Sequence, residues 1–323
     1  MLKVGLIGCG FMGTMHANCY KNIEGVKLTA VADIRREKAD ELADGAEIYA
    51  DGMALIEKAD VDIIDICLPT YLHAEHALCA MEKVKYVFVE KPVALTVAES
   101  EAMLKKQAET GAQVQVGQVI RFWDEYVALY DIVKSNQYGK VVNANFRRIS
   151  PSPDWGWKNW LHDAALSGGA AQDLHIHDVD YVLSLLGEPK TLHSVRNTLG
   201  EKNVYINTLM EYENGPVAIE GTWGLPASHP FEATFRVVFE KAVVENAGGK
   251  FMLYTDNGAE EIQLEKKNLS AAGGTSGNIS DLGGYYNELY YFTQCAQKNE
   301  AIRKATLSDA SASLKFLLEK ELS

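Results

Sequence analysis

Short apolar runs alternate with helical patterns along the first third of the chain. The runs that predict strands are rich in β-branched residues and lie at Lys3 to Ile7, Lys27 to Ala32, Val61 to Cys67, Lys85 to Val89 and Gln113 to Val116. The helical patterns between them lie at Met12 to Lys21, Arg36 to Ala43, Leu72 to Met81 and Val97 to Glu109. Uninterrupted apolar strands are typical of a parallel sheet that crossover helices cover on both faces. A doubly wound parallel α/β sheet is therefore predicted.

The regular alternation of strand and helix patterns ends after about Arg121, which predicts a second domain. Helices are predicted at Phe122 to Lys134, Gln172 to Leu186, Tyr285 to Lys298 and Ser308 to Glu321. A strand at Val141 to Ile149 precedes a loop rich in Gly, Pro and Trp, from Pro151 to Gly169. From Lys190 to Leu264, turn pairs such as Asn214-Gly215 join strand-like segments, which predicts an antiparallel meander.

Composition narrows the class of protein. A chain of 323 residues with 47% apolar and 23% charged residues fits about two globular domains and excludes a disordered or fibrous chain. The net charge of -13, without a basic cluster, disfavours nucleic acid and anionic membrane surfaces as partners. Five scattered cysteines indicate neither a disulfide framework nor a structural zinc, and no apolar run is long enough to span a membrane. A soluble, cytoplasmic protein is expected.

A glycine-rich motif follows the first predicted strand. Gly8-Cys9-Gly10-Phe11-Met12-Gly13 is a G-x-G-x-x-G at a strand-to-helix turn. Gly8 permits the tight turn, Gly10 lets the backbone approach a pyrophosphate, and Gly13 lets helix and strand pack closely. Because Phe11 and Met12 open the helix, their amides lie at its positive end. The motif predicts a dinucleotide-binding site.

Asp33 lies at the end of the second predicted strand, 20 residues beyond Gly13. Its carboxylate can accept hydrogen bonds from both hydroxyls of the adenosine ribose, whereas a 2′-phosphate would meet a like charge. The expected cofactor is therefore NAD, with NADP less favoured. Two alternatives stay open: Arg35 or Arg36 binds a phosphate while Asp33 turns away, or Asp33 merely caps the following helix.

Further motifs follow in order along nearly the whole chain. They are His16, Pro69-Thr70-Tyr71-Leu72-His73, Glu90-Lys91-Pro92, Gly117 with Arg121-Phe122, Gly168 to Asp173 leading into His177 and Asp180, and Tyr285 with Glu288. In this order and spacing they resemble the glucose-fructose oxidoreductase, inositol dehydrogenase and rhizopine-catabolism (Gfo/Idh/MocA) family. Thr70 departs from the pattern, since the family usually has Asn there.

The resemblance implies an architecture. Residues 1–120 would form an NAD-binding Rossmann domain, and residues 121–323 an α/β domain with an open, mostly antiparallel sheet for substrate binding and oligomerisation. Thr70, His73 and Glu90 would join the glycine motif and Asp33 at the cofactor.

Lys91 is the first candidate catalytic residue, because the resemblance places the lysine of the Glu-Lys-Pro turn beside the nicotinamide. An ammonium there can hydrogen-bond a substrate oxygen and stabilise developing negative charge. On the Lys-Pro pair alone, a surface lysine in a β-turn would be the better interpretation.

Asp173 and His177 are the other two candidate catalytic residues. They lie four apart on one predicted helix and so share a face. By resemblance His177 is the acid/base, and Asp173 orients either substrate hydroxyls or His177. A satisfied core histidine is the alternative. A metal site with His175 is disfavoured, because His175 lies on another side of the helix, and no metal is expected.

Arg121, at the domain junction, and the Trp-rich loop complete the predicted substrate-binding residues. The loop contributes Asp154, Trp155 and Trp160. Trp faces stack on the C–H surfaces of sugar rings, and carboxylates accept hydrogen bonds from sugar hydroxyls. The alternative is that the tryptophans only pack the loop onto the core.

An NAD-dependent oxidoreductase is the leading hypothesis, acting on a secondary alcohol or ketone of a sugar, inositol or related carbohydrate. One rival is a catalytically silent, cofactor-binding regulatory protein of the same fold. The other is a glycoside-modifying enzyme that oxidises its substrate transiently and releases no net NADH.

A homodimer or homotetramer is also expected. The segments Val217 to Trp223 and Thr234 to Val244 carry apolar residues that we assign to the second face of the sheet. These are Ala218, Trp223, Phe235, Val237 and Phe239.

Overall fold

A computed structural model of the chain describes residues 1–198, 204–264 and 282–322. The chain divides into two compact units. The first consists of residues 1–122 and the described part of 267–314, and the second of the described parts of 123–266 and 315–323.

The first unit contains a six-stranded parallel sheet. Its strands are Leu2–Ile7 (β1), Val26–Ala32 (β2), Glu47–Tyr49 (β3), Ile63–Ile66 (β4), Tyr86–Val89 (β5) and Gln113–Val116 (β6). They lie in the order β3-β2-β1-β4-β5-β6, and all neighbouring strands run parallel. The predicted doubly wound parallel sheet is confirmed.

Helices connect these strands. They are Phe11–Lys21 (α1), Arg36–Ala43 (α2), Gly52–Lys58 (α3), His73–Lys83 (α4) and Val97–Thr110 (α5). Short 3-10 turns lie at Thr70–Leu72 and Val119–Phe122. The sequence did not predict β3 and α3, because a three-residue strand and a seven-residue helix are too short to show a clear period.

Local sequence signals explain the boundaries of α5. The Thr96 hydroxyl accepts a hydrogen bond from the Glu99 amide, and the Glu99 carboxylate accepts one from the Thr96 amide. This reciprocal pair is a capping box, which satisfies amides that the first helical turn leaves unpaired. The helix ends at Gly111, whose φ of 74° is the left-handed conformation that glycine adopts without strain.

The second unit contains an eight-stranded, mostly antiparallel sheet. Its strands are Val141–Pro151 (β7), Thr191–Thr198 (β8), Val204–Glu211 (β9), Pro216–Leu225 (β10), Glu232–Phe239 (β11), Val243–Ala247 (β12), Lys250–Thr255 (β13) and Gly258–Glu261 (β14). They lie in the order β14-β13-β12-β11-β7-β10-β9-β8. Only the pairing of β7 with β10 is parallel among these strands, so the predicted antiparallel character is confirmed.

Three α-helices of the second unit precede β8. They are Asp124–Ser135 (α6), Ala164–Ser167 (α7) and Ile176–Leu186 (α8). A 3-10 segment lies at Trp157–His162, and π-helical turns lie at Ala171–His175 and Leu317–Glu321. The predicted helix from Gln172 to Leu186 is therefore two structures, a π turn followed by a regular α-helix.

Aromatic residues cover one face of this second sheet. The Phe235 ring on β11 lies 5.0 Å from the Tyr126 ring on α6, and the Phe146 ring on β7 lies 5.8 Å from the Tyr181 ring on α8. The other face carries charged pairs, because Arg147 lies 3.0 Å from Glu220. The sheet is thus apolar toward the helices of its own unit.

This packing corrects the argument for a subunit interface. We assigned Ala218, Trp223, Phe235, Val237 and Phe239 to an apolar second face. Trp223, Phe235, Val237 and Phe239 are buried within the unit itself, and only Ala218 is partly exposed among the five. These side chains therefore carry no argument about oligomerisation, and the expected dimer or tetramer stays a prediction.

Two helices close the chain, Gly283–Lys298 (α9) and Leu307–Phe316 (α10). Helix α9 belongs to the first unit, although it follows the strands of the second in sequence. Its Leu289 and Phe292 pack in one buried cluster with Val4, Ile63 and Phe88. The first unit therefore completes its core with residues from near the other end of the chain.

Among the described residues, no helix is both long and apolar enough to cross a bilayer.

Replacing Phe292 with Ala should destabilise the first unit selectively. The ring is fully buried, 5.4 Å from Phe88, and such a truncation costs about 3–5 kcal/mol of unfolding free energy. Hydrogen exchange should therefore accelerate at the amides of β1 and β5. Exposed Lys298 on the same helix provides the control, Lys298→Ala. Unchanged protection of β1 and β5 in the Phe292 variant would contradict this assignment of α9.

Candidate functional site

The glycine motif forms a tight loop between β1 and α1. Gly8 has a φ of 94°, and a Cβ there would lie 2.3 Å from the carbonyl oxygen of Cys67. A Cβ at Gly13 would lie 1.8 Å from the carbonyl oxygen of Gly8. At Gly10 a Cβ would meet nothing nearer than 3.7 Å, where the Arg35 side chain lies. The first and third glycines are thus required by packing, while the second keeps the backbone approachable.

Asp33 joins this loop to the end of β2. Its Oδ2 accepts a hydrogen bond from the Cys9 amide at 2.8 Å, and its Oδ1 accepts one from the Arg35 amide at 2.8 Å. The Arg35 guanidinium also donates to both carboxylate oxygens, at 3.1 and 3.0 Å. Burial by itself would raise the pKa of Asp33, but these hydrogen bonds lower it below its ordinary value. Asp33 is therefore ionised at neutral pH.

Two turns at the carboxyl edge of the sheet carry the other predicted cofactor residues. Thr70, in the turn after β4, is buried. The two ring nitrogens of His73 lie 2.7 Å from the Leu68 carbonyl oxygen and 2.8 Å from the Pro92 carbonyl oxygen. Burial lowers the pKa of His73 despite these contacts. His73 thus links the chain after β4 to the chain after β5.

Lys91 follows Glu90 directly after β5, and the Lys91–Pro92 peptide bond is cis. The Lys91 amide donates to Glu90 Oε2 at 2.9 Å. The Glu90 side chain is buried, and a Cβ at Gly117 would lie 3.0 Å from its carboxylate. The turn that carries the lysine is therefore held by the neighbouring buried carboxylate.

A cluster of buried polar side chains lies behind this turn, and its centre is His16 on α1. The His16 Nδ1 is 2.9 Å from Asp65 Oδ2 and 3.2 Å from Cys67 Sγ, and its Nε2 is 3.1 Å from Glu90 Oε1. The Tyr20 hydroxyl also donates to Asp65, at 2.8 Å. Sequence reasoning missed Asp65, although a charged residue inside a fully buried strand signals a buried partner.

His16, Asp65 and Cys67 form the one group in the described part of the chain whose ligand-type atoms would admit a metal ion, all lying within 4.8 Å of one another. Hydrogen bonds already account for these contacts. Cys67 Sγ lies 3.5 Å from Asp65 Oδ1, and His16 contacts both residues. We therefore interpret the group as a hydrogen-bonded charge cluster, and the expectation that the protein holds no metal stays a prediction.

Arg121 lies in the 3-10 turn after β6. Its Nη1 donates to Asp309 Oδ2 on α10 at 3.2 Å, within the first unit. Its predicted role in substrate binding stays a prediction.

In the second unit, Asp173 and His177 lie on either side of the junction between the π turn and α8. Asp173 is partly buried in the turn, and His177 is buried in the first turn of α8. The spacing rule that placed them on one face holds for a regular α-helix, and a π turn alters it. Such turns are frequent at functional sites.

Two buried polar contacts, a His–Glu contact and an Arg–Asp ion pair, fix this junction. His175 Nε2 lies 2.6 Å from Glu321 Oε1, which also accepts from Thr208. Arg148 donates to both oxygens of Asp178, at 2.7 and 3.2 Å. His175 lies between the two candidate catalytic residues and Asp178 directly follows His177, so these contacts hold the backbone around both of them. The sequence did not predict either pair.

Residues of the Trp-rich loop differ in their surroundings: one packs the loop onto the core, and others are exposed. Trp160 packs against a buried cluster of Leu161, Ala170 and Trp223, so it helps to hold the loop. Trp155 is 48% exposed, and Asp154 is also exposed. Trp155 and Asp154 are therefore accessible to a ligand, and their predicted role in substrate binding stays a prediction.

The predicted site residues thus fall into two sets. Those assigned to the cofactor lie in the first unit, together with Lys91 and Arg121. Asp154, Trp155, Trp160, Asp173 and His177 lie in the second unit. Within the first unit, the glycine loop and Asp33 are in direct contact.

Comparison with known proteins agrees with this geometry. The profile of an oxidoreductase family with an NAD-binding Rossmann fold matches residues 2–118, and that of the GFO/IDH/MocA C-terminal domain matches residues 126–245. A crystal structure of an oxidoreductase from Agrobacterium radiobacter, in complex with NAD+, L-tartaric acid and magnesium, superposes with a TM-score of 0.84 at 18% identity. The superposition covers 98% of this chain and 94% of that one, and it shows a shared fold.

Two curated relatives are more similar in sequence. Myo-inositol 2-dehydrogenase of Thermotoga maritima is 31% identical over 192 residues, which are 58% of this chain and only 55% of the length of that relative. Inositol 2-dehydrogenase of Pseudomonas syringae pv. syringae is 30% identical over 237 residues, 66% of this chain and 70% of that one. The chain therefore belongs to the Gfo/Idh/MocA family of oxidoreductases, with an NAD-binding Rossmann fold.

Proposed function

We propose that the protein is an NAD-dependent dehydrogenase that oxidises a secondary alcohol of an inositol, sugar or related carbohydrate, or reduces the corresponding ketone. The observation that carries the proposal is the contact between the glycine loop and Asp33, because it brings the pyrophosphate-binding and ribose-binding elements together. Family membership and the inositol dehydrogenases among its relatives support the substrate class.

The residues present fit the cofactor. A Cβ at Gly8 or Gly13 would collide with backbone, so the loop keeps the close turn that a pyrophosphate needs. Asp33 is ionised, and its two oxygens, which now accept from the Arg35 guanidinium, would accept hydrogen bonds from the two ribose hydroxyls once the guanidinium turns away. At about 4 Å a 2′-phosphate charge would be repelled by about 1–4 kcal/mol. NAD is therefore the preferred cofactor in this proposal.

Replacing Asp33 with Asn should shift the preference toward NADP. The substitution removes the repelling charge and releases the Arg35 guanidinium, which now donates to both carboxylate oxygens. The ratio of the NADP to the NAD dissociation constant should fall at least about fivefold. Calorimetry on nucleotide-free protein measures both constants.

Glu41→Gln is the matched control, because exposed Glu41 pairs with Lys38 on α2 and lies outside the loop. The ratio of the NADP to the NAD dissociation constant of this variant should stay at the wild-type value. Tighter binding of NADP than NAD by the wild-type protein would mean that Arg35 or Arg36 sets the preference and would refute the role of Asp33.

The proposed chemistry assigns one task to each candidate residue. When bound, NAD supplies the hydride acceptor. His177 takes the proton from the substrate hydroxyl, because imidazole has a pKa near the working pH. The Lys91 ammonium hydrogen-bonds the same oxygen and lowers the pKa of that hydroxyl, and Asp173 orients the substrate or His177.

Replacing His177 with Ala should reduce kcat about 10²–10⁴-fold, because the general base is lost. Affinity for NAD should change little, since in this proposal His177 does not bind the cofactor. The acidic limb of the kcat/KM profile should also disappear. His193→Ala, at an exposed histidine on β8, is the control. Assays would use NAD with inositols, aldoses and glycosides, monitoring NADH.

Replacing Lys91 with Ala should reduce turnover and also weaken NAD binding, with exposed Lys105→Ala on α5 as the control. Near-normal turnover and an unchanged pH profile in the His177 variant would transfer the acid/base role to Lys91. Substrate conversion by the wild-type enzyme without accumulation of NADH would favour transient oxidation over an ordinary dehydrogenase.

A further inference from the structure

We propose that His16 is a positioning residue for Lys91, acting through Glu90, and that Asp65 holds His16 in place. The three buried side chains would form a relay from the interior of the parallel sheet to the turn that carries the lysine. The inference rests on the proposed function in one respect, the role of Lys91 in catalysis. The relay itself is a property of the first unit.

The geometry is continuous from end to end. Asp65 Oδ2 lies 2.9 Å from His16 Nδ1, and His16 Nε2 lies 3.1 Å from Glu90 Oε1. The other oxygen of Glu90 accepts the Lys91 amide at 2.9 Å. His16 Nδ1 is hydrogen-bonded to Asp65, whereas the contact of Nε2 with Glu90 is a charge contact without hydrogen-bond geometry. Glu90 in turn reaches the backbone of the candidate catalytic residue.

Three separate parts of the first unit contribute to the relay. His16 lies on α1, the helix that begins at the glycine loop, while Asp65 lies on β4 and Glu90 follows β5. The Phe88 ring on β5 packs edge-on against the imidazole at 5.3 Å. Because each side chain comes from a different element, the relay ties Lys91 to the same helix that would bind the pyrophosphate.

Charge balance favours an imidazolium at the centre. The titratable groups facing His16 from the surrounding elements are Tyr20 and Cys19 on α1, Asp65 and Cys67 at β4, Glu90 after β5 and Glu288 on α9. Burial opposes the charged ring, yet contacts with Cys67 and Asp65 raise the pKa of His16 well above its ordinary value. Burial and the nearby Glu90 raise the pKa of Glu288, which favours its neutral form.

A doubly protonated ring explains why both nitrogens face carboxylates. The Nδ1–H then donates to the Asp65 carboxylate, and the positive charge of the ring also attracts the Glu90 carboxylate 3.1 Å from Nε2. A neutral ring could donate on one side only, and its bare nitrogen would face the other carboxylate. The relay therefore needs the proton on His16 to hold Glu90.

Two variants of His16 separate the effect of its hydrogen-bond donor from the effect of its positive charge. His16→Leu removes the donor, and His16→Gln keeps a donor without the charge. The readout independent of activity is hydrogen exchange at the Lys91 amide, whose acceptor is Glu90. Its protection should decrease at least about tenfold in the Leu variant and less in the Gln variant. Glu90→Gln should also lower it, which tests the same link if the Leu variant does not fold.

The control is Thr293→Val, which removes a buried hydroxyl of the same unit whose hydrogen bonds, among the described residues, stay within α9. It should leave the exchange of the Lys91 amide unchanged. In the assay of the proposed function, His16→Gln should reduce kcat more than it raises KM for NAD.

Stability against pH provides a second readout. A group whose pKa is raised in the folded state contributes stability that is full below its unfolded pKa, about 6.5 for His, and is lost as pH rises through the folded pKa. The difference in Tm between wild type and His16→Gln should therefore be largest at acidic pH and shrink at alkaline pH. A role in packing alone would give a difference independent of pH.

Three results would overturn the relay. They are wild-type protection of the Lys91 amide in folded His16→Leu and Glu90→Gln, a Tm difference independent of pH, and one equivalent of metal in the purified protein. The last would mean that an ion holds the cluster. If the wild-type enzyme oxidised no carbohydrate while the exchange and Tm results held, the proposed function would fail and the relay would stand.

Discussion

A Cβ at position 13 would lie 1.8 Å from the carbonyl oxygen of Gly8, so helix α1 can begin where it does only because that residue is glycine. Much of the first unit depends on this close approach of helix to strand. It brings the Cys9 amide to Asp33 and places His16 over the sheet, beside Asp65. One steric constraint therefore positions both the cofactor loop and the buried charge cluster.

The charge cluster shows how a parallel sheet can contain ionised groups. Asp65 lies in a strand whose residues are all buried, where a lone carboxylate would be costly. His16, Tyr20 and Cys67 supply its hydrogen-bonding partners. Removing one partner of such a pair destabilises the fold more than replacing both by apolar residues would, because the remaining charge stays buried. The cluster thus makes the position of α1 and the turn after β5 mutually dependent.

The second unit also buries polar and charged side chains, at the start of α8. The π turn from Ala171 to His175 approaches β10 so closely that a Cβ at Gly221 would lie 2.5 Å from His175 Nδ1. Glu321, from the last π turn of the chain, pairs with His175, and Arg148 on β7 pairs with Asp178. Buried contacts of this kind stabilise one geometry of the turn, because any shift would leave a buried polar or charged group without its partner.

The sequence by itself determined the class of each sheet, the glycine loop and the place of Asp33, because each depends on a local pattern: apolar runs, turn residues, or glycines at a fixed spacing. Only the tertiary structure decided which distant side chains meet. Asp65, Glu321 and the return of α9 to the first unit leave little trace in local periodicity, since their partners lie tens to hundreds of residues away. The same limit explains the error over Phe235 and Val237, which alternate as a strand requires but face the helices of their own unit. A period of two shows that a strand has two faces, and only packing determines which of them is covered.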